Sequence, residues 1–300
     1  MRWKIEKQYE GLKIRDYLRK VHGLSRRILI SVKNEGKIIV NGSEVLVNTP
    51  VKEGDLLEIS FPKEQVATYM KAENMPLNIV YEDDTLLVIE KVAGMATIPS
   101  RNHPSGTVAN GVLAYYALKE IPFTIHVVTR LDRDTSGLVL IAKHRYSHSL
   151  LSKSQKLGKV KRIYRAIVEG NLEQERGIID LPIGRKENSI IERQVSESGK
   201  RAITNYKTIK HYPSHTFVEI DLETGRTHQI RVHFSHIGHP LAGDDLYGGS
   251  KMNIKRQALH CYKLRFEHPF TKEIIELESK LPADMEKLTR EWGTIEAPSE

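Results

Sequence analysis

The 300-residue chain has one cysteine, Cys261. No disulfide can form within it, and a reducing compartment is expected. No apolar run approaches the roughly 20 residues a membrane helix needs; Leu138 to Ala142 is strand-sized. The opening residues, MRWKIEKQYE, lack the apolar centre of a secretory signal. There is no GxGxxG or GxxxxGK[ST] phosphate loop, which argues against a nucleotide-cofactor fold. These absences point to a soluble, cytoplasmic protein with no membrane attachment and no nucleotide cofactor. Hydrophobic residues, at 39%, are enough for a sizeable core and exclude intrinsic disorder. At about 150 residues per domain, the length predicts two domains, or one large one with an appendage.

What the chain does have is positive charge. Lys and Arg number 46 against 38 Asp and Glu, a formal net of +8. Residues 1–60 hold 12 basic and 8 acidic side chains, so a fifth of the chain carries half of the surplus. A second block runs from Lys143 to Arg165 and contains no acidic residue. Such stripes neutralise phosphates and release counterions. They are equally what a solvated surface looks like, and position has to decide.

In the first sixty residues, Ile14, Tyr17, Leu18 and Val21 fall at i, i+3, i+4, i+7, one face of a helix that Gly23 can end. Ser25 is a natural N-cap for a second helix, with Ile28, Leu29 and Val32 inward and Gly36 closing it. That leaves Arg26, Arg27, Lys33 and Lys37 toward solvent. Ile38 to Val40 and Leu56 to Ile59 read as strands, with Asn41-Gly42 a tight turn. Residues 61–76 lack periodicity and read as a linker. From Leu77 to about 290 the texture is short apolar strands with occasional helices, near Val108 to Leu118, His148 to Leu157 and Thr227 to Ile237. Without a βαβ rhythm, the expectation is an α+β domain on a mixed, mainly antiparallel sheet, followed by a tail at 291–300.

Two segments could carry chemistry. Arg130-Leu131-Asp132-Arg133-Asp134 precedes the apolar strand, and a carboxylate held in such a turn can act as a nucleophile. Turn capping and surface ion pairing would account for the same aspartates. Later, Gly225 permits a tight turn and Thr227 can cap a helix with the apolar stripe Ile230, Phe234 and Ile237. Arg231 lies off that stripe. It could lock an active-site Asp by a bidentate pair, or be a surface arginine. His228, His233, His236, His239, His260 and Cys261, with Asp244 and Asp245 nearby, raise a metal site. Their spacing fits no zinc signature such as HExxH or CxxC, so capping and polar roles account for them better, and no metal is expected.

These segments, TRLDRDTSGLVLIAK and TGRTHQIRVHFSHIGHPLAGDDLYG, resemble the signature regions of the RluA-type pseudouridine synthases. IVYEDDTLLVIEKVAGM, KRIYRAIVEG, PIGR and GKRAITNY extend the likeness across residues 77–285. Residues 11–60, within a small N-terminal domain at 1–60, resemble the αL RNA-binding module of a ribosomal small-subunit protein and of tyrosyl-tRNA synthetases. The resemblance implies that Asp132 is the catalytic carboxylate, that Tyr164 stacks on the target base, and that Arg231 pairs with Asp132. It implies that Arg130 replaces the flipped base in the RNA stack. Thr129 stands where the family usually has His, and Val92 where it has Pro.

The reaction so implied is isomerisation of uridine to pseudouridine in structured RNA, either large-subunit ribosomal RNA or transfer RNA. It needs no cofactor. Arg26, Arg27, Lys33, Lys37, Lys161, Arg185 and Arg226 are the expected further RNA contacts, and a monomer is the expected state. A catalytically silent RNA-binding or ribosome-assembly factor, or a metal-dependent hydrolase, would be the other classes.

Overall fold

The computed structural model describes residues 1–64, 70–101 and 103–293. The first residues build a four-stranded antiparallel sheet: β1 (Arg2–Lys4), β2 (Lys37–Val40), β3 (Ser43–Glu44) and β4 (Leu56–Ser60), in the order β1-β4-β2-β3. β1 adds a strand that the sequence pattern did not suggest. Its side chains are exposed or half-buried, and its place comes from backbone pairing with β4. Two helices, α1 (Ile14–Lys20) and α2 (Arg26–Glu35), cover one face. The Ser25 hydroxyl accepts from the Ile28 N–H at 3.3 Å, the expected cap. Ile14, Leu18, Val32 and Leu57 are fully buried in this small core.

Ten of the remaining twelve strands form one sheet. They are β5 (Asn78–Glu82), β6 (Leu86–Lys91), β7 (His126–Val127), β8 (Ser136–Ala142), β9 (Lys161–Glu169), β10 (Arg176–Asp180), β13 (Ile203–His211), β14 (His215–Leu222), β15 (Leu259–Glu267) and β16 (Ile274–Glu278). A separate hairpin, β11 (Ile183–Arg185) with β12 (Arg193–Val195), stands apart. The main order is β10-β13-β14-β9-β15-β8-β6-β5, with β7 on β8 and β16 on β15. Every pairing is antiparallel except β15 with β8. β8 is buried along its whole length, which explains why its sequence is continuously apolar rather than alternating.

Four helices complete the fold: α3 (Val108–Leu118), α4 (Arg145–Lys156), α5 (Gln229–His236) and α6 (Ala283–Gly293). α4 starts three residues before the expected His148, because the His144 imidazole accepts from the Ser147 N–H and caps it. Thr227 does not cap α5. His228 occupies that position in the left-handed region, φ 57°, without a side-chain capping bond. The described parts of 61–76 are packed rather than loose. Phe61 stacks on His144, and Met70 lies against the large core. The expected tail begins inside α6, where Trp292 stacks on His215; residues 294–300, like 65–69 of the expected linker, lie outside the described residues. Among the described residues no helix is long and apolar enough to cross a membrane.

Candidate active site

The turn before β8 is pinned from several sides. Thr97 Oγ1 donates to the Leu131 carbonyl at 2.8 Å and accepts from the Leu131 N–H at 3.1 Å. The buried Lys91 ammonium donates to the carbonyls of Val92, Met95 and Arg133 at 2.7–3.0 Å. Burial pushes that amine down to about 7, against the pull of Asp132 and Asp134. Gly137 enters β8 at φ +113°, and a Cβ there would lie 2.2 Å from the Cys261 carbonyl oxygen. Only glycine fits where β8 presses against β15. Cys261 pairs in register with Gly137 on one side and Tyr164 on the other. The Asp132 loop and Tyr164 are thereby set on the two strands that flank β15.

Asp132 is half-buried at the wall of a cavity of about 1080 Å³. Arg231 Nη1 donates to its Oδ2 at 3.1 Å. The bidentate pair expected between these two goes elsewhere: Arg231 Nε and Nη2 both reach Asp244, at 2.7 Å each. Asp244 is 1% exposed, so it serves as the buried anchor and leaves Arg231 one N–H pair to aim at Asp132. Burial opposes the Arg231 charge, but Asp244 and then Asp132 outweigh it and hold the guanidinium above its ordinary pKa. Arg231 is therefore no surface residue; it is 7% exposed and sits over the Tyr247 ring. Asp134 keeps the bland role, paired with exposed Arg133.

Tyr164 lines the same cavity and shares a hydrogen bond with the Cys261 thiol. Burial raises the phenol above its ordinary pKa and pushes the thiol up to about 12. His228 Nε2 stands 3.8 Å from Asp132 Oδ2, while Nδ1 shares a 2.8 Å hydrogen bond with the Tyr247 hydroxyl. Burial lowers the His228 pKa, against the pull of Asp132, which favours the neutral ring. Gln229, 2% exposed, ties the preceding loop to β13 through Thr224, the Arg226 N–H and the Ile203 carbonyl. Gly225 is not in the left-handed region, and a Cβ there would meet only the end of the Arg162 side chain, Nη2 at 2.7 Å, so nothing rigid demands glycine.

The cavity gathers Asp132, Tyr164, Arg231, Arg130 and Arg226. Arg130 is exposed at its edge. Six basic side chains face two acidic ones across its lining. Other expected contacts lie elsewhere. Arg26, Arg27, Lys33 and Lys37 are exposed on the small module, Arg185 lines a second pocket, and Lys161 is exposed outside both cavities.

The basic block from Lys143 to Arg165 does not form one surface. Lys143 is buried against Glu82 at 2.6 Å, the Arg145 backbone and side chain meet Glu64, and Arg165 lies over the Tyr262 ring. Only Lys156 and Arg162 of that block line the cavity. Thr129 is fully buried, its hydroxyl accepting from the Leu140 N–H, while Val92 is exposed. His233 bonds Thr204 and the Leu181 carbonyl, and His260 lies between Ser136 and Ser279. Among the described residues no three His, Cys, Asp or Glu side chains could hold a metal ion together.

Residues 85–236, which include Asp132, Tyr164 and Arg231, match the family model for RNA pseudouridylate synthase. The chain belongs to that family. Residues 1–57 of the synthase match the RluD ribosomal pseudouridine synthase N-terminal domain, in keeping with the RluA-type resemblance. A Bacillus subtilis (strain 168) protein named uncharacterized RNA pseudouridine synthase YjbO is 50% identical over 269 residues, 89% of the synthase and 95% of that protein. The ribosomal large subunit pseudouridine synthase D of Vibrio cholerae is 38% identical over 271 residues, 85% and 83% of the two chains. Human RNA pseudouridylate synthase domain containing 4 shares the fold, with TM-score 0.60 at 21% identity over 72% of the synthase and 93% of that chain. The synthase is thus an RNA-modifying isomerase.

Asp244, Tyr247, Thr97 and Lys91 are the neighbours that motif reading left without a role. Asp244 and Tyr247 do fall within the second motif, so their position was visible though their partners were not.

Proposed function

We propose that this synthase isomerises specific uridines of large-subunit ribosomal RNA, with Asp132 as the catalytic carboxylate. The observation that carries the site assignment is the convergence of Asp132, Tyr164 and the buried Arg231 on one electropositive cavity. The relative named for the large ribosomal subunit, matched over 85% of the chain, supports the RNA class.

The chemistry is redistribution within one nucleoside. The bond from ribose to the ring nitrogen breaks, the uracil turns, and a bond to ring carbon forms; the proton on that carbon leaves and the nitrogen gains one. Asp132, oriented by Arg231, assists the bond breaking. Tyr164 holds the detached base by its ring face, and the cavity walls keep base and ribose together while the base turns. The uridine has to leave its stack to enter such a cavity, and exposed Arg130 is placed to fill the gap. Arg226, Arg162 and Lys156 line the cavity's path for backbone phosphate. Arg26, Arg27, Lys33 and Lys37 provide remote docking, with Lys161 a peripheral contact. The reading includes a monomer, and buried, unpaired Cys261 is in keeping with a cytoplasmic location.

The test is mapping of pseudouridine in total RNA from cells with and without the gene, complemented by wild type or Asp132→Asn. Loss of sites in large-subunit ribosomal RNA, restored by wild type alone, is expected. Sites lost only from transfer RNA would overturn the RNA assignment, and restoration by Asp132→Asn would overturn the role of the carboxylate.

A further inference from the structure

Two of the motif segments, PIGR at 182–185 and GKRAITNY at 199–206, line no part of the catalytic cavity. They meet each other instead, through a backbone bridge between Ile183 and Lys200. With Arg193 and the Gly225–Thr227 segment, they enclose a second pocket of about 420 Å³. Its lining carries Arg185, Arg193, Lys200 and Arg226 and no carboxylate. Arg185 and Lys200 are exposed, and no described carboxylate pairs with either. Arg193 uses Nη1 on the carbonyls of Ile191 and Glu192, and Arg226 uses Nε on the Arg201 carbonyl. Those bonds hold both guanidinium groups at the pocket wall without cancelling their charge.

The floor is built for close approach. A Cβ at Gly199 would lie 2.5 Å from the Ile183 carbonyl carbon and 2.7 Å from the Gly184 nitrogen. The pocket is also fixed relative to the chemistry. It shares the wall Gly225–Arg226–Thr227 with the catalytic cavity. In addition, the Arg193 N–H donates to the Tyr247 hydroxyl, which is bonded to His228 beside Asp132. A pocket with four cations, no anion and a rigid tie to the active site suits the phosphates of a chain whose neighbouring nucleotide occupies the cavity.

We propose that this hairpin pocket is a second RNA-backbone site, in which Arg185 and Lys200 grip phosphates flanking the target uridine and so set which nucleotide reaches Asp132. The inference rests on the reading of the cavity as the uridine site. It predicts that the full-length Arg185→Ala/Lys200→Ala double variant binds an unmodified large-subunit ribosomal RNA transcript with a salt slope lower by about 1.4, at about 0.7 per single-strand phosphate contact. KM should rise about tenfold with kcat within twofold, and Arg185→Lys/Lys200→Arg should restore both slope and KM. Lys287→Ala/Arg290→Ala on α6 removes the same charge far in sequence from the pocket and should leave the slope unchanged. An unaltered slope in the pocket variant, or an equal fall in the α6 variant, overturns the pocket. If wild type modifies only transfer RNA transcripts, the ribosomal reading fails instead. The same slope comparison on transfer RNA then decides the pocket separately.

Discussion

At the residue scale, the site depends on how charge is divided among Asp132, Arg231 and Asp244. Asp132→Asn keeps the size and the Arg231 contact but removes the reactive anion. Pseudouridine formation is expected to fall about 10³-fold or more, with RNA affinity and thermal midpoint close to wild type. Single-turnover assay, filter binding and calorimetry check the three parts. Asp244→Asn should behave differently, because it strands a buried guanidinium. A stability loss of about 3–5 kcal/mol is expected from urea denaturation, together with loss of activity. If Asp244→Asn were as stable as wild type, Arg231 would not need its buried anchor. The arginine and the RLD aspartate were legible from sequence as partners. That the stronger pairing belongs to Asp244 was not, because 13 residues of loop and helix separate the two and only the folded loop brings them together.

At the element scale, α4 is the piece that joins the two cores. Tyr146 and Leu150, four residues apart, pack into the small module, and the Tyr146 hydroxyl donates to the His22 carbonyl. Leu151 faces the large core. His148, Ser152 and Gln155, on a further face, line the catalytic cavity. One twelve-residue helix therefore meets three surroundings. Its start was misplaced because His144, ahead of the expected His148, caps it. β8 makes the complementary case. Its apolar run was plain in sequence, but the need for glycine at 137 comes from the carbonyl of Cys261 on β15. Gly137→Ala forces an alanine to φ +113° against that oxygen, and a loss of about 3 kcal/mol or more is expected in chemical denaturation. A loss below 1 kcal/mol would mean that the strands move apart easily.

At the scale of the whole molecule, acid and salt report on different parts. His144 and His260 are 4% and 1% exposed, and burial pushes both down to about 4. An unfolded histidine titrates near 6.5. Between those values the unfolded chain binds more protons, so stability is fully present above pH 6.5 and is lost as pH falls toward 4. Each site contributes at most about 3 kcal/mol at about 1.4 kcal/mol per pH unit. Urea midpoints measured from pH 7.5 to 4 should show this fall, and His260→Gln should flatten it; an equal slope in that variant removes His260 from the account. The four exposed cations of the small module should act through salt alone. Replacing Arg26, Arg27, Lys33 and Lys37 by Ala in the full chain is expected to lower the salt slope of RNA binding by up to about 3, with kcat on saturating RNA within twofold. An unchanged slope would reduce that face to solubility.

Local chemistry in the sequence was enough for the elements: helix periodicity and a Ser25 cap in the module, an apolar run for β8, a left-handed Asn41-Gly42 turn. It was enough, too, for the family and for the residues of its motifs. The partners were decided by the fold. Lys143 and Arg165 carry the same charge as Lys156 and Arg162, yet the first two are spent on Glu82 and Tyr262 and only the second two face the cavity. Charge along a chain is a property of residues, whereas the direction in which a side chain points, and what neutralises it, is set by strand register and by loops that close between distant segments.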